Sequence, residues 1–282
     1  MQGSVLQRLL PRRAAPPARS APERVVATPE ARARKLARLR SHLRTELAHC
    51  EHGGKLDFLT EDLRTEARIA DTANVSENGY DEHMMALVGR YRDGLVLDCG
   101  AGKRPIYFDN VVNYEIVDYD STDVLGVGEE LPFVDETFDA VISVAVLEHV
   151  RDPFRCAREI ARVLKRGGEL YCAIPFLQPL HGYPHHYFNA TPQGIRALFE
   201  DRLTVRDVTV LPSTHPVWSL IWILNSWRAG LPAERRKAFD AMRVRDLLGS
   251  PLGYLGQPFC AELSRNAQLE LASATVLTAV KP

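Results

Sequence analysis

The stretch GLVLDCGAGKRP, residues 94–105, decides the fold of this chain. Residues 95–97 form an apolar run, typical of a strand that is buried on both faces of a parallel sheet. Asp98 follows the run, and Gly100 and Gly102 come directly after it, one residue apart. Glycine allows a sharp turn and close approach of a ligand, and open α/β sheets bind ligands where their strands end. The stretch therefore predicts a strand, a turn and a binding crevice.

The glycine pattern alone does not identify the ligand. The fingerprint of dinucleotide-binding proteins has a third glycine, but position 105 is Pro, so NAD and FAD fit poorly. Two interpretations stay open at this point. One is an ordinary strand and turn, and the other is a site for a nucleoside ligand without a pyrophosphate.

Three segments resemble a known family. VLDCGAG (96–102) resembles the first motif of class I S-adenosylmethionine (SAM) methyltransferases. LPFVDETFDAVISVAVLEHV (131–150) and RVLKRGG (162–168) resemble segments of the type 11 branch of that family. The resemblance implies a Rossmann-like α/β fold, with a seven-stranded, mostly parallel sheet, helices on both faces, and a helical insertion before an antiparallel last strand. It also implies SAM as the cofactor, bound across the carboxyl edge of the sheet.

A ribose-binding acid is expected at the end of the second core strand. The sequence YEIVD predicts that strand over residues 114–118, and it ends in Asp118. A carboxylate there can accept both ribose hydroxyls. Asp120 is the alternative acid, and Tyr119 is placed against the adenine.

Adenine recognition departs from the family pattern. The segment DVLGVGEELPF (123–133) has Val127 where the family commonly has an adenine-contacting Asp. Recognition would then depend on Gly128 and Glu129. The complete predicted cofactor set is Asp98, Gly100, Ala101, Gly102, Asp118, Tyr119, Gly128, Glu129, Val144 and Ala145.

The stretch FLQPLHGYPHHYFN (176–189) is predicted to contact the acceptor. It follows the fifth strand at the carboxyl edge, and His181 or His185 is the predicted proton acceptor. Histidines satisfied within the loop are the alternative. Three histidines, with His186, could bind zinc, but no acid or Cys in this stretch completes a ligand set, so we predict no metal. Glu148 and His149, in LEHV, could form a general acid–base pair, but the interpretation we favour is that His149 is a structural part of the crevice floor.

Five regions are predicted along the chain. They are a disordered basic tail (1–29), an N-terminal helical region (30–79), the SAM-binding core (80–211), a helical insertion (212–268) and a final core strand (269–282). Strands over 203–211 and 275–280 are expected to form an antiparallel pair. The apolar run 217–227 is too short to span a bilayer and predicts a helical cap or a homodimer surface.

Charge and cysteine content narrow the function classes. Residues 1–48 hold eleven Lys and Arg against three acids, whereas the remainder holds 24 against 33. An acidic body argues against a nucleic acid as the main substrate. Five cysteines without a CxxC pair indicate a reducing, cytoplasmic location. Mitochondrial targeting is the alternative, because residues 1–22 hold four Arg and no acid, although four prolines interrupt any long helix there.

The predicted function is SAM-dependent methylation of an O or N atom of a small molecule or glycan. The first alternative is an RNA or protein methyltransferase that uses the basic N-terminal arm. The second is a non-catalytic, methyltransferase-like subunit that binds a partner, and Val127 is the one residue that supports it.

Overall fold

The computed structural model describes residues 27–69, 77, 79–182, 185–273 and 275. Residues 276–280 of the predicted strand over 275–280, and residues 1–26 of the predicted tail, lie outside the described residues. The strands are β1 (Cys50–His52), β2 (Lys55–Asp57), β3 (Val96–Cys99), β4 (Val111–Glu115), β5 (Val124–Leu125), β6 (Phe138–Val144) and β7 (Leu164–Ala173). The helices are α1 (Pro29–Leu39), α2 (Glu61–Glu66), α3 (Glu82–Arg90), α4 (Pro153–Val163), α5 (Pro192–Phe199), α6 (Pro216–Gly230), α7 (Ala233–Asp240), α8 (Pro258–Ala261) and α9 (Arg265–Glu270).

The seven strands form one sheet in the order β1-β2-β5-β4-β3-β6-β7. Only β1 and β2 pair antiparallel, and all other neighbours are parallel. β3 lies between β4 and β6. The next two strands of the chain, β4 and β5, lie on one side of β3, and the following two, β6 and β7, lie on the other side. Such a reversal opens a crevice at the carboxyl ends of the central strands. The predicted mostly parallel, seven-stranded sheet is confirmed.

Helices cover both faces of the sheet, as predicted. Successive strand residues point to opposite faces. Leu97 therefore packs in one cluster with residues of α1, α4 and α5, whereas its neighbour Val96 packs in another with residues of α3. Both residues are completely buried, as the apolar run predicted.

Helix starts follow ordinary capping chemistry. Asp81, Asp152 and Thr191 accept backbone N–H bonds at the starts of α3, α4 and α5, which satisfies donors that the helices cannot pair themselves. At the start of α5, Thr191 is followed by Pro192 in the first helical position, where its missing N–H costs no hydrogen bond.

The antiparallel edge of the sheet differs from the prediction. Residues 203–211 are all described and form no strand, and Val210 is largely exposed among them. The antiparallel pair comes instead from β1 and β2, within a region that was predicted to be helical. Leu56 explains the difference, because it pairs with Val124 and is completely buried. The prediction that the region 30–79 is helical is therefore wrong at residues 50–57, which form β1 and β2 between helices α1 and α2.

One predicted strand boundary also moves. The second core strand is Val111–Glu115 rather than 114–118, because its pairing with β3 begins at Val111. Helix α4 ends at Val163, and β7 begins at the next residue. Gly167 lies within β7 and has a positive φ of 76°.

The helical segment after residue 212 has a small core of its own. Leu231, Leu263 and Ala267 are buried there, with Trp227 packed against them. Trp218 of α6 is 59% exposed, so one side of α6 presents apolar groups to solvent. Within the described residues, none of the helices has the length and apolar character needed to cross a membrane.

Candidate functional site

The turn after β3 requires glycine. Gly100 and Gly102 have φ angles of +78° and +63°, a region that disfavours side chains. A Cβ atom at Gly100 would lie 2.3 Å from Cγ2 of Val146. The N–H groups of Gly100 and Ala101 donate to the carbonyl oxygen of Tyr114 at 2.9 and 3.1 Å. The predicted strand and turn are thus present, and the turn lies against the end of β4.

Glu115 is the acid at the end of β4. One carboxylate oxygen accepts the N–H of Gly102 at 2.7 Å, and the other accepts the N–H of Ile116 at 2.8 Å. Burial raises the pKa of Glu115 above its ordinary value, while these backbone hydrogen bonds oppose the shift. Sequence reasoning missed this residue, because it placed the strand end at Asp118.

Asp118 lies beyond the strand and is half exposed. Its carboxylate forms an ion pair with Lys55 of β2, and the same ammonium group donates to the carbonyl oxygen of Tyr119 at 2.8 Å. The sequence predicted that Asp118 would be the last residue of this strand. In the structure the last residue of the strand is Glu115.

Asp98 forms a completely buried ion pair. Arg104 donates from Nε and Nη2 to its two carboxylate oxygens, at 2.8 and 3.0 Å, and the hydroxyl of Tyr80 donates at 2.8 Å. The guanidinium of Arg104 lies 4.4 Å from the centre of the Tyr80 ring. Burial raises the pKa of Tyr80, so its hydroxyl keeps its proton. Both signs of charge are therefore held at the carboxyl end of β3.

The predicted adenine region is apolar. Val127 is buried against Leu59 and Leu125. Gly128 lies so close to Cys156 that a Cβ atom would come within 2.7 Å of Sγ. The Glu129 carboxylate accepts the backbone N–H of Arg151 at 3.1 Å.

The end of β6 carries the last two predicted cofactor residues. Val144 is its final residue, and Ala145 follows with a φ of +56°. The Ala145 N–H donates to the carbonyl oxygen of Ala173 at 3.0 Å. This backbone turn lies next along the sheet from the glycine turn, since β6 pairs with β3.

A second polar cluster follows β6. Glu148 is completely buried, and its carboxylate has no hydrogen-bond partner among the described residues. Burial raises the pKa of Glu148 to about 7. Nε2 of His149 lies 3.6 Å from the Glu148 carboxylate, and Nδ1 of His149 lies 2.7 Å from the carbonyl oxygen of His185.

The structure separates the two predicted catalytic histidines. The His181 ring lies 5.4 Å from the His149 ring and 5.0 Å from Trp222 of α6. Burial lowers the pKa of His181, which favours the neutral ring. Nε2 of His185 instead lies 2.9 Å from the carbonyl oxygen of Arg68, and His185 lines a cavity of about 380 Å³ beside α2. The His181 side chain therefore lies beside Glu148 and His149, whereas His185 contacts His149 only through its backbone carbonyl oxygen.

Comparison with known proteins agrees with this geometry. Residues 99–172 match the family described as a methyltransferase domain. The chain is 27% identical over 158 residues to the methyltransferase YcgJ of Bacillus subtilis (strain 168), an alignment that covers 51% of this chain and 58% of the relative. It is 34% identical over 97 residues to the ubiquinone/menaquinone biosynthesis C-methyltransferase UbiE of Pasteurella multocida, covering 33% and 36%. The crystal structure of YcgJ gives a TM-score of 0.35 at 19% identity, over 57% of this chain and 86% of that one.

These alignments span 58% and 36% of the two relatives' lengths. The matched residues 99–172 run from the glycine turn after β3 to the end of β7, the part of the chain that forms the crevice. Residues 99–172 therefore form a methyltransferase domain of the class I S-adenosylmethionine-dependent type.

Proposed function

We propose that this chain binds SAM at the carboxyl ends of β3 and β4 and transfers its methyl group to a small-molecule or glycan acceptor. One arrangement carries the proposal: the turn through Gly100 and Gly102 lies hydrogen-bonded against Glu115 at the end of the neighbouring strand. Bare backbone beside a carboxylate suits a nucleoside, whose ribose offers two hydroxyl donors.

The charges in the site match those of SAM. Glu115 would hold the ribose. The amino-acid end of SAM carries an ammonium and a carboxylate, and the buried pair of Asp98 and Arg104 offers one group of the opposite sign to each. The apolar floor around Val127 suits the adenine ring. When bound, SAM supplies a methyl group already activated by a sulfonium, so the chain itself must only bind, orient and deprotonate the acceptor.

The acceptor is proposed to lie beside the loop 176–189. Phe176, Leu177 and Leu180 of this loop are each at least 50% exposed, and such apolar groups favour an acceptor with an apolar part. His181, held neutral by burial, is the candidate proton acceptor on this side of the crevice. The acceptor atom is proposed to be O or N. One relative is named a C-methyltransferase, so carbon acceptors belong in the same screen.

Two other functions remain to be tested against this one. Methylation of RNA would require affinity for polyanions that falls steeply with salt and depends on residues 1–48. A partner-binding subunit without catalysis would not bind SAM. The proposed cytoplasmic location is supported by the five cysteines, all unpaired in the structure.

Glu115→Gln should weaken the binding of S-adenosylhomocysteine by at least about tenfold, because hydrogen bonds to a charged group contribute roughly 1.5–3 kcal/mol. The matched variant Asp118→Asn should change the affinity by less than about twofold, since its carboxylate faces Lys55. Calorimetric titration measures both. The reverse order of effects would return the ribose contact to Asp118. A folded wild-type chain that binds neither SAM nor S-adenosylhomocysteine would overturn the proposed function.

A further inference from the structure

We propose that Glu148, His149 and His181 bind one divalent transition-metal ion. One ligand atom from each of the three lies within 4.8 Å of the ligand atoms of the other two. Glu148 and His149 follow β6, and His181 comes from the loop after β7. The packing of that loop onto the connection after β6 therefore assembles the site.

The Glu148 carboxylate points to a missing cation. It is completely buried, and neither of its oxygens accepts a hydrogen bond from any residue that the structure describes. A buried carboxylate without a partner is strongly unfavourable, which is why such groups are paired or bind metals. The imidazoles of His149 and His181 each place a ring nitrogen within 4.8 Å of this carboxylate.

Both histidines present Nε2 to the cluster. Nδ1 of His149 lies 2.7 Å from the carbonyl oxygen of His185, and Nδ1 of His181 lies 2.8 Å from that of Pro179. A carbonyl oxygen only accepts hydrogen bonds, so each Nδ1 carries the proton and each Nε2 keeps its lone pair. Metal-binding histidines are oriented by this same kind of contact behind the ring.

The loop is shaped to bring these groups together. Gly182 has a φ of +95°, and a Cβ atom there would lie 2.2 Å from Cε1 of His149, so only glycine allows the approach. His186 supports the loop from behind. Its Nδ1 accepts the N–H of His181 at 3.0 Å, and its Nε2 lies 2.8 Å from the side-chain oxygen of Asn189. Both ring nitrogens of His186 are therefore occupied, which makes it a matched control.

Two histidines and one carboxylate form a three-ligand set that Zn²⁺ uses in catalytic sites, with a further position open for an oxygen ligand. An acceptor hydroxyl oxygen bound there would lose its proton more easily. Nε2 of His181 would then be a ligand of the ion instead of the proton acceptor, and the proton would pass to solvent. This use of the ion rests on the proposed function, whereas metal binding itself does not. The sequence predicted no metal because no acid lies within 176–189. Glu148 supplies that acid from the segment after β6.

Zinc titration of the full chain, without an affinity tag and after dialysis against a chelator, tests the site in the absence of SAM. We expect one equivalent of Zn²⁺ to bind, and Co²⁺ to give one absorption spectrum of a site with histidine ligands. Glu148→Gln, His149→Gln and His181→Gln should each weaken zinc binding by more than about 100-fold, because even residues behind metal ligands contribute roughly 10–100-fold. Circular dichroism checks that each variant folds.

His186→Gln should retain one equivalent of Zn²⁺ at an affinity within about tenfold of wild type, since it supports the loop without contacting the ion. A folded wild-type chain that binds no Zn²⁺, Co²⁺ or Mn²⁺ would overturn the proposal, whether or not a variant folds. So would zinc binding that survives in folded His181→Gln and is lost in His186→Gln. A chain that binds zinc but not SAM would support the site and count against the proposed function only.

Discussion

Replacing Asp98 with Ala should lower the free energy of unfolding by about 3–5 kcal/mol, because it leaves a buried guanidinium without its counterion. The Arg104 side chain is 3% exposed and donates to both carboxylate oxygens of Asp98. In the same variant the Tyr80 hydroxyl would lose the nearer of its two acceptors, since Oδ1 of Asn113 lies 3.5 Å away. Urea denaturation, with the slope compared between variants, measures the loss.

The double variant Asp98→Ala/Arg104→Met separates folding from cofactor binding. Removing both charges together should recover most of the lost stability, since an apolar replacement of a buried ion pair is often neutral or stabilising. Binding of S-adenosylhomocysteine should stay at least about tenfold weaker in both variants, because the group that would pair with its ammonium is absent in each. A single variant as stable as wild type would show that the pair is dispensable for folding. A double variant with wild-type affinity would exclude Asp98 from the cofactor site.

The parallel centre of the sheet could be predicted because its strands are continuous apolar runs. Residues 95–97 and 140–143 are buried on both faces, and such runs are typical of strands covered on two sides. The edge hairpin could not be predicted in this way. β1 and β2 have three residues each, too few to show alternation, and β2 is held in place by its pairing with β5. Only the tertiary contact makes Leu56 a strand residue.

In the candidate site, too, the sequence could predict residues that are close along the chain but not those that only the fold brings together. Sequence placed Asp98, Gly100 and Gly102 together because they are neighbours along the chain. Glu115 was missed through an error of three residues in one strand boundary, the level at which sequence patterns are weakest. The cluster of Glu148 and His181 joins residues far apart in the chain, so no local spacing could indicate it.

Lys35→Met should also lower the free energy of unfolding by about 3–5 kcal/mol, because it leaves the buried carboxylate of Asp123 without a cation. Nζ of Lys35 in α1 lies 2.7 Å from Oδ2 of Asp123, next to β5, and both side chains are completely buried. Burial lowers the pKa of Lys35 to about 8, against the attraction of Asp123, so the lysine is still charged at neutral pH. Methionine keeps the length of the stem and removes only the charge. Chemical denaturation at pH 7 measures the change.

The neighbouring residue on α1 provides the control. Arg34 forms an ion pair with Asp109 in which both side chains are more than 60% exposed. Arg34→Met should therefore change stability by less than about 1 kcal/mol, the usual range for surface pairs. Equal, small effects of the two substitutions would mean that α1 lies on the sheet without being needed for its stability. A large effect of Lys35→Met beside a small effect of Arg34→Met would instead show that α1 and the sheet unfold as one cooperative unit. The contact that would couple them is Asp123, which also accepts the backbone N–H of Asn113 in β4 at 2.9 Å. A variant that disturbs Lys35 should then lose S-adenosylhomocysteine binding at the same urea concentration at which it unfolds, and not before.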